Sequence, residues 1–321
     1  MTLLNFYILI FKEILLFKLN YKKSIFIFFS IIIIIILTIN LYINIIISSY
    51  DSNRILKIRT VPIEYRISLL NNFIHKKYNK DSIILLGDSQ TNGYLYPDND
   101  IFSTLLSKKL NMQVLNYAFP DARILDNIYI LKYMKNNNMK VNTIIYSVDS
   151  AHLNKIDNFR HLDEDNVLNY QLGIIKNLKP FLKLSMSPTF TVRPILFDPI
   201  DEMSLPNDYF YMDSNTIAYY SKQLIELIQL SKDVSTNIII YVMPYSKSRA
   251  LSHNKNSINQ LDIFQEHIKN ISKKSNVNFF EPSIYLDDDF FDIVHFNLKG
   301  HERMANDLFK FIQYGKKSDS N

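Results

Sequence analysis

The chain has 321 residues, 47% of them hydrophobic, with 21 Tyr and 22 Phe, so it can bury the core of one large domain plus a tail, or of two modest domains. Charged residues at 21% and a mean hydropathy near zero exclude a disordered chain and a polytopic membrane protein, and the absence of cysteine excludes disulfides, thiolate metal sites and cysteine nucleophiles. Of the net charge of +5, Lys12, Lys18, Lys22 and Lys23 against Glu13 place +3 in residues 1–50, and the +2 left is too little for a nucleic-acid footprint.

The first feature along the chain is apolar. No charge occurs between Lys23 and Asp51, and Ile25 to Ile47 is mainly Ile, Leu and Phe, with six consecutive isoleucines at Ile31–Ile36. At about 1.5 Å per residue this stretch spans roughly 35 Å, enough to cross a bilayer with some tilt. It is longer than a signal-peptide core, and the exit Ile-Ile-Ser-Ser-Tyr-Asp lacks a small-x-small cleavage pattern. The expectation is an uncleaved transmembrane anchor over residues 24–50, preceded at 1–23 by a leader that either lies along the interface or is a frayed hydrophobic segment. Four lysines before the span against Arg54, Lys57 and Arg59 after it lean toward a cytoplasmic N-terminus. The folded domain is then extracytoplasmic, in the periplasm or at the cell surface. Residues 51–80 form a linker with a helix at Ile63–Lys77.

From Ser82 strands and helices alternate. Strands are expected at Ser82–Leu86, Gln113–Ala118, Asn142–Val148, Asn237–Met243 and Val277–Phe280. Helices are expected at Asp100–Leu110, Asp121–Lys135 with Asp121 as N-cap, Ile217–Ser231, Ile258–Ser272 and Leu298–Tyr314. This alternation predicts an α/β fold, a parallel sheet with helices on both faces, over residues 81–315, with a tail at 316–321.

Residues 151–215 break the rhythm. They hold Pro180, Pro188, Pro194, Pro199 and Pro206, half the prolines of the chain, with Phe181, Phe190, Phe197, Tyr209, Phe210 and Tyr211. A connection this long is either a functional insert that covers a site and contacts substrate, or a packed excursion without function.

Two clusters carry chemistry. In Leu86-Gly87-Asp88-Ser89-Gln90-Thr91-Asn92-Gly93, a serine stands just past a buried strand, where a nucleophile would be displayed. Gly87 permits a sharp turn, and Gly93 permits close approach to a ligand. In Asp292-Ile293-Val294-His295-Phe296-Asn297, a carboxylate three residues before a histidine can fix its tautomer and stabilise the imidazolium. Asn297 offers an N-cap to the helix that follows. Each cluster alone also reads as an ordinary turn.

Together the clusters resemble the SGNH (GDSL-type) hydrolases and acyltransferases. The first looks like that family's Gly-Asp-Ser-x-Thr-x-Gly block, and the second like its C-terminal Asp-x-x-His block. The resemblance covers about residues 82–314 and implies a three-layer, flavodoxin-like sheet of strand order 2-1-3-4-5, in which ligands bind where the order switches. It implies Ser89 as nucleophile, His295 as base and Asp292 as its orienter, with no cofactor and no metal. The oxyanion hole would use the backbone N–H of Ser89 and of Ala118, which stands where the family usually has glycine. Asp149 stands in the third block, where the family has Asn. An ionised Asp is acceptor-only, so Asp149 is protonated, Ser150 or water substitutes, or one donor is missing, at a cost of about 100- to 1,000-fold. Asp88, Asn116, Ser150 and His152 are candidate substrate contacts, and Asp149-Ser150-Ala151-His152 repeats the Asp-x-x-His spacing. His75, His161, His253 and His267 have no partner pattern and default to surface or core roles, and His301, on the last helix, is expected to be structural.

An anchor joined to such a domain resembles bacterial envelope proteins that add or remove acyl groups on surface polymers. The resemblance thus implies a membrane-anchored esterase or O-acyltransferase. Its substrate would be an acylated glycan or cell-wall polymer, and its partner a membrane-bound acyl donor. A membrane-tethered binding or scaffold protein that lost turnover is the competing class.

Overall fold

The computed structural model describes residues 79–93, 96, 98–119, 122–148, 214–253 and 257–315, with 27–32, 34 and 38 near the N-terminus. The expected leader, linker helix and tail lie outside these residues, as do the expected insert up to residue 213 and Asp121, Asp149, Ser150 and His152. The chain divides into two units, Met1–Tyr50 and Asp51–Asn321. In the first, the described residues are helical, and the Thr38 hydroxyl donates to the Ile34 carbonyl at 2.8 Å. Among the described residues no helix is long and apolar enough to cross a membrane. The stretch expected to do so falls largely outside them.

In the second unit five parallel strands form one sheet in the order β2-β1-β3-β4-β5. They are β1 (Ile83–Leu86), β2 (Val114–Asn116), β3 (Val141–Val148), β4 (Ser235–Val242) and β5 (Asn278–Phe279). The helices are α1 (Ser89–Asn92), α2 (Phe102–Leu110), α3 (Ile124–Asn136), α4 (Ser214–Val234), α5 (Lys247–His253), α6 (Ser257–Lys274) and α7 (Leu298–Tyr314). The order and the parallel pairing match the expectation.

The strands are nearly continuous apolar runs because both sheet faces are covered. Alternate residues point to opposite faces. Ile83 and Leu85 of β1, Ile145 of β3 and Ile239 and Tyr241 of β4 join Phe102, Leu106 and Leu110 of α2 and Met304, Ala305 and Leu308 of α7. Ile84, Leu86, Ile144, Tyr146, Val148, Ile238, Ile240 and Val242 meet α3, α4 and α6 through Ile128, Leu131, Leu224, Leu227, Phe264 and Ile268. The result is three layers.

Several ends differ from expectation. Helix α3 begins at Ile124 rather than Asp121, because the Asp126 carboxylate reaches back to the Arg123 N–H at 2.7 Å. An acidic residue three positions into the helix thus satisfies the entering backbone. Strands β2 and β5 are shorter than their apolar runs, although the residue after each still pairs with its neighbour, the Tyr117 N–H with the Leu85 carbonyl at 2.9 Å and the Phe280 N–H with the Ile240 carbonyl at 2.8 Å. Helices α1 and α5 were not anticipated. Both are too short for a periodic signature.

Candidate active site

The sheet order switches between β1 and β3, and the first cluster leaves β1 there. Gly87 turns the chain with φ +153. The Asp88 side chain then accepts the Gln90 N–H at 3.0 Å and caps α1. Asp88, expected at substrate, is a buried capping residue here. Ser89 is the first residue of this four-residue helix. Gly93 closes it in the left-handed conformation, φ 66, with its N–H on the Ser89 carbonyl. Asn127 of α3 accepts the Gly87 N–H at 3.1 Å. The turn is therefore held at both ends.

The second cluster is a closed turn. Asp292 Oδ1 accepts the backbone N–H of Val294 at 2.9 Å and of His295 at 2.7 Å, leaving Oδ2 for His295 Nδ1 at 2.7 Å. The Phe291 N–H returns to the His295 carbonyl at 2.8 Å. Asn297 caps α7, accepting the Gly300 N–H at 3.1 Å, as expected. Its amide nitrogen donates to the Asp288 carbonyl at 2.7 Å.

The fold brings the two clusters together. Ser89 Oγ lies 3.0 Å from His295 Nε2, across 206 residues of sequence. Ser89, Asp292 and His295 are 8%, 2% and 4% exposed, so the three groups interact out of bulk water. Burial pushes the Asp292 carboxyl up, but the His295 side chain and the backbone N–H groups of His295 and Val294 outweigh it and hold the carboxyl below the usual range. An ionised Asp292 on Nδ1 keeps the proton there and leaves Nε2 as an acceptor aimed at the Ser89 hydroxyl.

The loop after β2 is less open than the sequence implied. The Ala118 N–H already donates to Asn116 Oδ1 at 3.2 Å. The Asn116 amide nitrogen donates to the Thr91 carbonyl at 2.8 Å and to Ser103 Oγ at 3.2 Å. Asn116, expected at substrate, thus joins the nucleophile turn, β2 and α2. Asn92 Nδ2 donates to the Ala118 carbonyl at 2.6 Å. These amides, with Asn127, hold the peptide units around Ser89, and sequence reading missed all but Asn116. Asn92 at the end of α1 and Asn116 at the end of β2 were the available signal.

His301, expected to be structural, is buried on α7. Its Nδ1 accepts the Phe102 N–H at 3.4 Å, at the start of α2. Its ring lies among Tyr96, Phe102 and Phe296. His267 is paired with Ser221 at 2.7 Å. Tyr96 lies close enough to the site that burial and then the Asp292 charge hold its phenol above the ordinary value.

A model of the GDSL-like lipase/acylhydrolase family matches residues 83–308. The chain belongs to that family. The match includes Ser89, Asp292 and His295. Solved structures similar to this GDSL-like chain include a member of the lipolytic G-D-S-L family from Veillonella parvula. It is 13% identical with TM-score 0.46, and the alignment covers 74% of this chain and 98% of that one. An aryl esterase from M. smegmatis is 10% identical with TM-score 0.45, covering 73% and 98%. A carbohydrate acetylesterase from Sinorhizobium meliloti is 10% identical with TM-score 0.42, covering 73% and 99%. No curated relative matches the chain.

Proposed function

We propose that the chain is a serine ester hydrolase or O-acyltransferase that works through an acyl-enzyme. One observation carries the reading. A buried serine hydroxyl, imidazole and carboxylate stand in series, at 3.0 Å and 2.7 Å.

The chemistry follows from the geometry. As Ser89 Oγ attacks the ester carbonyl carbon, its proton passes to His295 Nε2, and Asp292 stabilises the imidazolium. Collapse of the tetrahedral adduct breaks the bond to the leaving alkoxide, which takes the proton from Nε2. Water or a sugar hydroxyl then attacks the acyl-Ser89 carbonyl, giving its proton to Nε2; the acyl–Oγ bond breaks, the acid or new ester leaves, and the Nε2 proton returns to Ser89 Oγ. The Ser89 N–H and the Ala118 N–H are the backbone donors assigned to the oxyanion. The second is shared with Asn116 Oδ1.

The apolar stretch at residues 25–47 supports a membrane anchor with the domain outside the cytoplasm. Tethering confines an enzyme to a surface-bound substrate, which favours an acylated glycan or cell-wall polymer over a soluble ester. It also favours a membrane-bound acyl donor as partner. The aromatic-rich insert at 151–215 supports sugar binding.

The engaged Ala118 N–H favours the second reading, a tethered binding protein without turnover. A fluorophosphonate probe separates them. The wild-type chain labels at Ser89, and Ser89→Ala does not. Ser89→Ala also loses at least about 10⁴-fold of p-nitrophenyl acetate turnover. A wild-type serine inert to the probe leaves the non-catalytic reading. Products assayed with and without an oligosaccharide acceptor separate transfer from hydrolysis.

A further inference from the structure

The Asp292–His295 turn is closed by its own hydrogen bonds, but these do not fix its place relative to Ser89. Part of that constraint comes from the segment after β4. The Ser246 N–H donates to the Ile293 carbonyl at 2.8 Å. Arg249 Nη1 of α5 donates to the Phe291 carbonyl at 2.9 Å. From the other side, Asp287 accepts the Ser246 hydroxyl at 2.5 Å and the Ser248 hydroxyl. Apolar contact completes the joint, with Ala250 and Leu261 packed on Ile293 and Val294.

The Arg249 bond falls at a sensitive point. The Phe291 carbonyl belongs to the peptide unit that carries the Asp292 N–H. The Phe291 N–H, one unit earlier, is tied to the His295 carbonyl. Both peptide planes beside Phe291 are therefore held, one within the turn and one by Arg249. Freeing the second lets the Asp292–His295 pair tilt as a body, stretching the 3.0 Å contact between His295 Nε2 and Ser89 Oγ. A misplacement of about 1 Å costs on the order of 100-fold in rate.

We infer that Arg249 is a positioning residue that sets the reach of His295 to Ser89 through the Phe291 carbonyl. The inference rests on the proposed function. It concerns rate rather than substrate affinity, because Arg249 reaches the turn through the Phe291 carbonyl and so acts on the placement of His295.

The test uses the full chain in detergent, with p-nitrophenyl acetate turnover and fluorophosphonate labelling measured on wild type, Arg249→Ala, Arg249→Lys and Ser89→Ala. Rates are taken per folded molecule, with the folded fraction read by near-ultraviolet circular dichroism. Arg249→Ala is expected to lose about 10- to 100-fold in kcat and in labelling rate, with KM within about threefold. Arg249→Lys, which keeps one donor within reach of the carbonyl, is expected to recover part of both. Wild-type kcat and labelling per folded molecule in Arg249→Ala overturn this inference alone, as does a loss that falls only on KM. Should Arg249→Ala not fold, Arg249→Lys decides, with an intermediate kcat expected and an unchanged one overturning the inference. A wild-type chain that does not label, or a Ser89→Ala chain that still turns over, overturns the proposed function and this inference with it.

Discussion

Gly87 lies against Ser147, on the strand beside its own. A Cβ built at Gly87 would collide with the Ser147 hydroxyl and stand 2.5 Å from Thr91 Oγ1. Ser147 and Thr91 are hydrogen-bonded to each other, so neither can swing away without breaking a buried pair. Position 87 also has φ +153, where side chains are rarely found. Gly87→Ala is expected to cost about 2 kcal/mol or more, from overpacking and backbone strain together. A thermal melt checks it, since each 1 kcal/mol lowers Tm by about 2–4 °C in a domain of this size.

The Asp292 carboxyl is held below its unfolded value, which is about 3.9. A depressed folded-state pKa means that the ionised form is the stabilised one. That stabilisation is fully present above the unfolded value and is lost as the pH falls from about 4 through the folded value. Denaturant melts of wild type and Asp292→Asn between pH 3 and 7 are expected to differ most near neutrality. The two should converge in acid. A gap that widens in acid would contradict the assignment.

Asn297 holds two elements at once. It caps α7 through the Gly300 N–H and holds the Asp288 carbonyl. Asn297→Ala is expected to destabilise by about 1–2 kcal/mol, while Asn297→Asp, which keeps the cap and loses the donor, should cost less. Urea melts of the two variants separate the contributions.

Asp289 is fully buried and paired with Arg303 Nη1 at 2.7 Å, while its Oδ2 also accepts the Leu286 N–H at 2.8 Å. Removing the guanidinium leaves this buried carboxylate only the Leu286 N–H and the Lys299 ammonium, 3.9 Å from Oδ1. Arg303→Ala is expected to cost about 3 kcal/mol, well beyond a surface pair. Replacing both partners by apolar residues should cost less than this single change, and equilibrium unfolding compares the two.

His267 is held below its ordinary value by burial and then by Lys274. Its neutral form is the favoured one in the folded chain. Its contribution to stability is present above the unfolded value of about 6.5 and is lost as pH falls through the lower folded value. His267→Gln is expected to flatten the pH dependence of Tm between about pH 7 and 5.

The layered sheet was legible in the sequence because its signals are local. Continuous apolar strands separated by amphipathic helices report a sheet covered on both faces, and Asn297 before Leu298 reports a cap, each within a few residues. The Ser89 and Asp292–His295 clusters were legible as candidates for the same reason. Their meeting at 3.0 Å was not. It depends on β1 and α7 being set by cores built from every strand. Nor did periodicity reveal α5, Arg249 on the Phe291 carbonyl, or the Asn116 amide turned inward. Those contacts join residues far apart in the chain. Spacing along a sequence records which side chains share a face, while which faces meet, and which donor finds which carbonyl, is decided by packing.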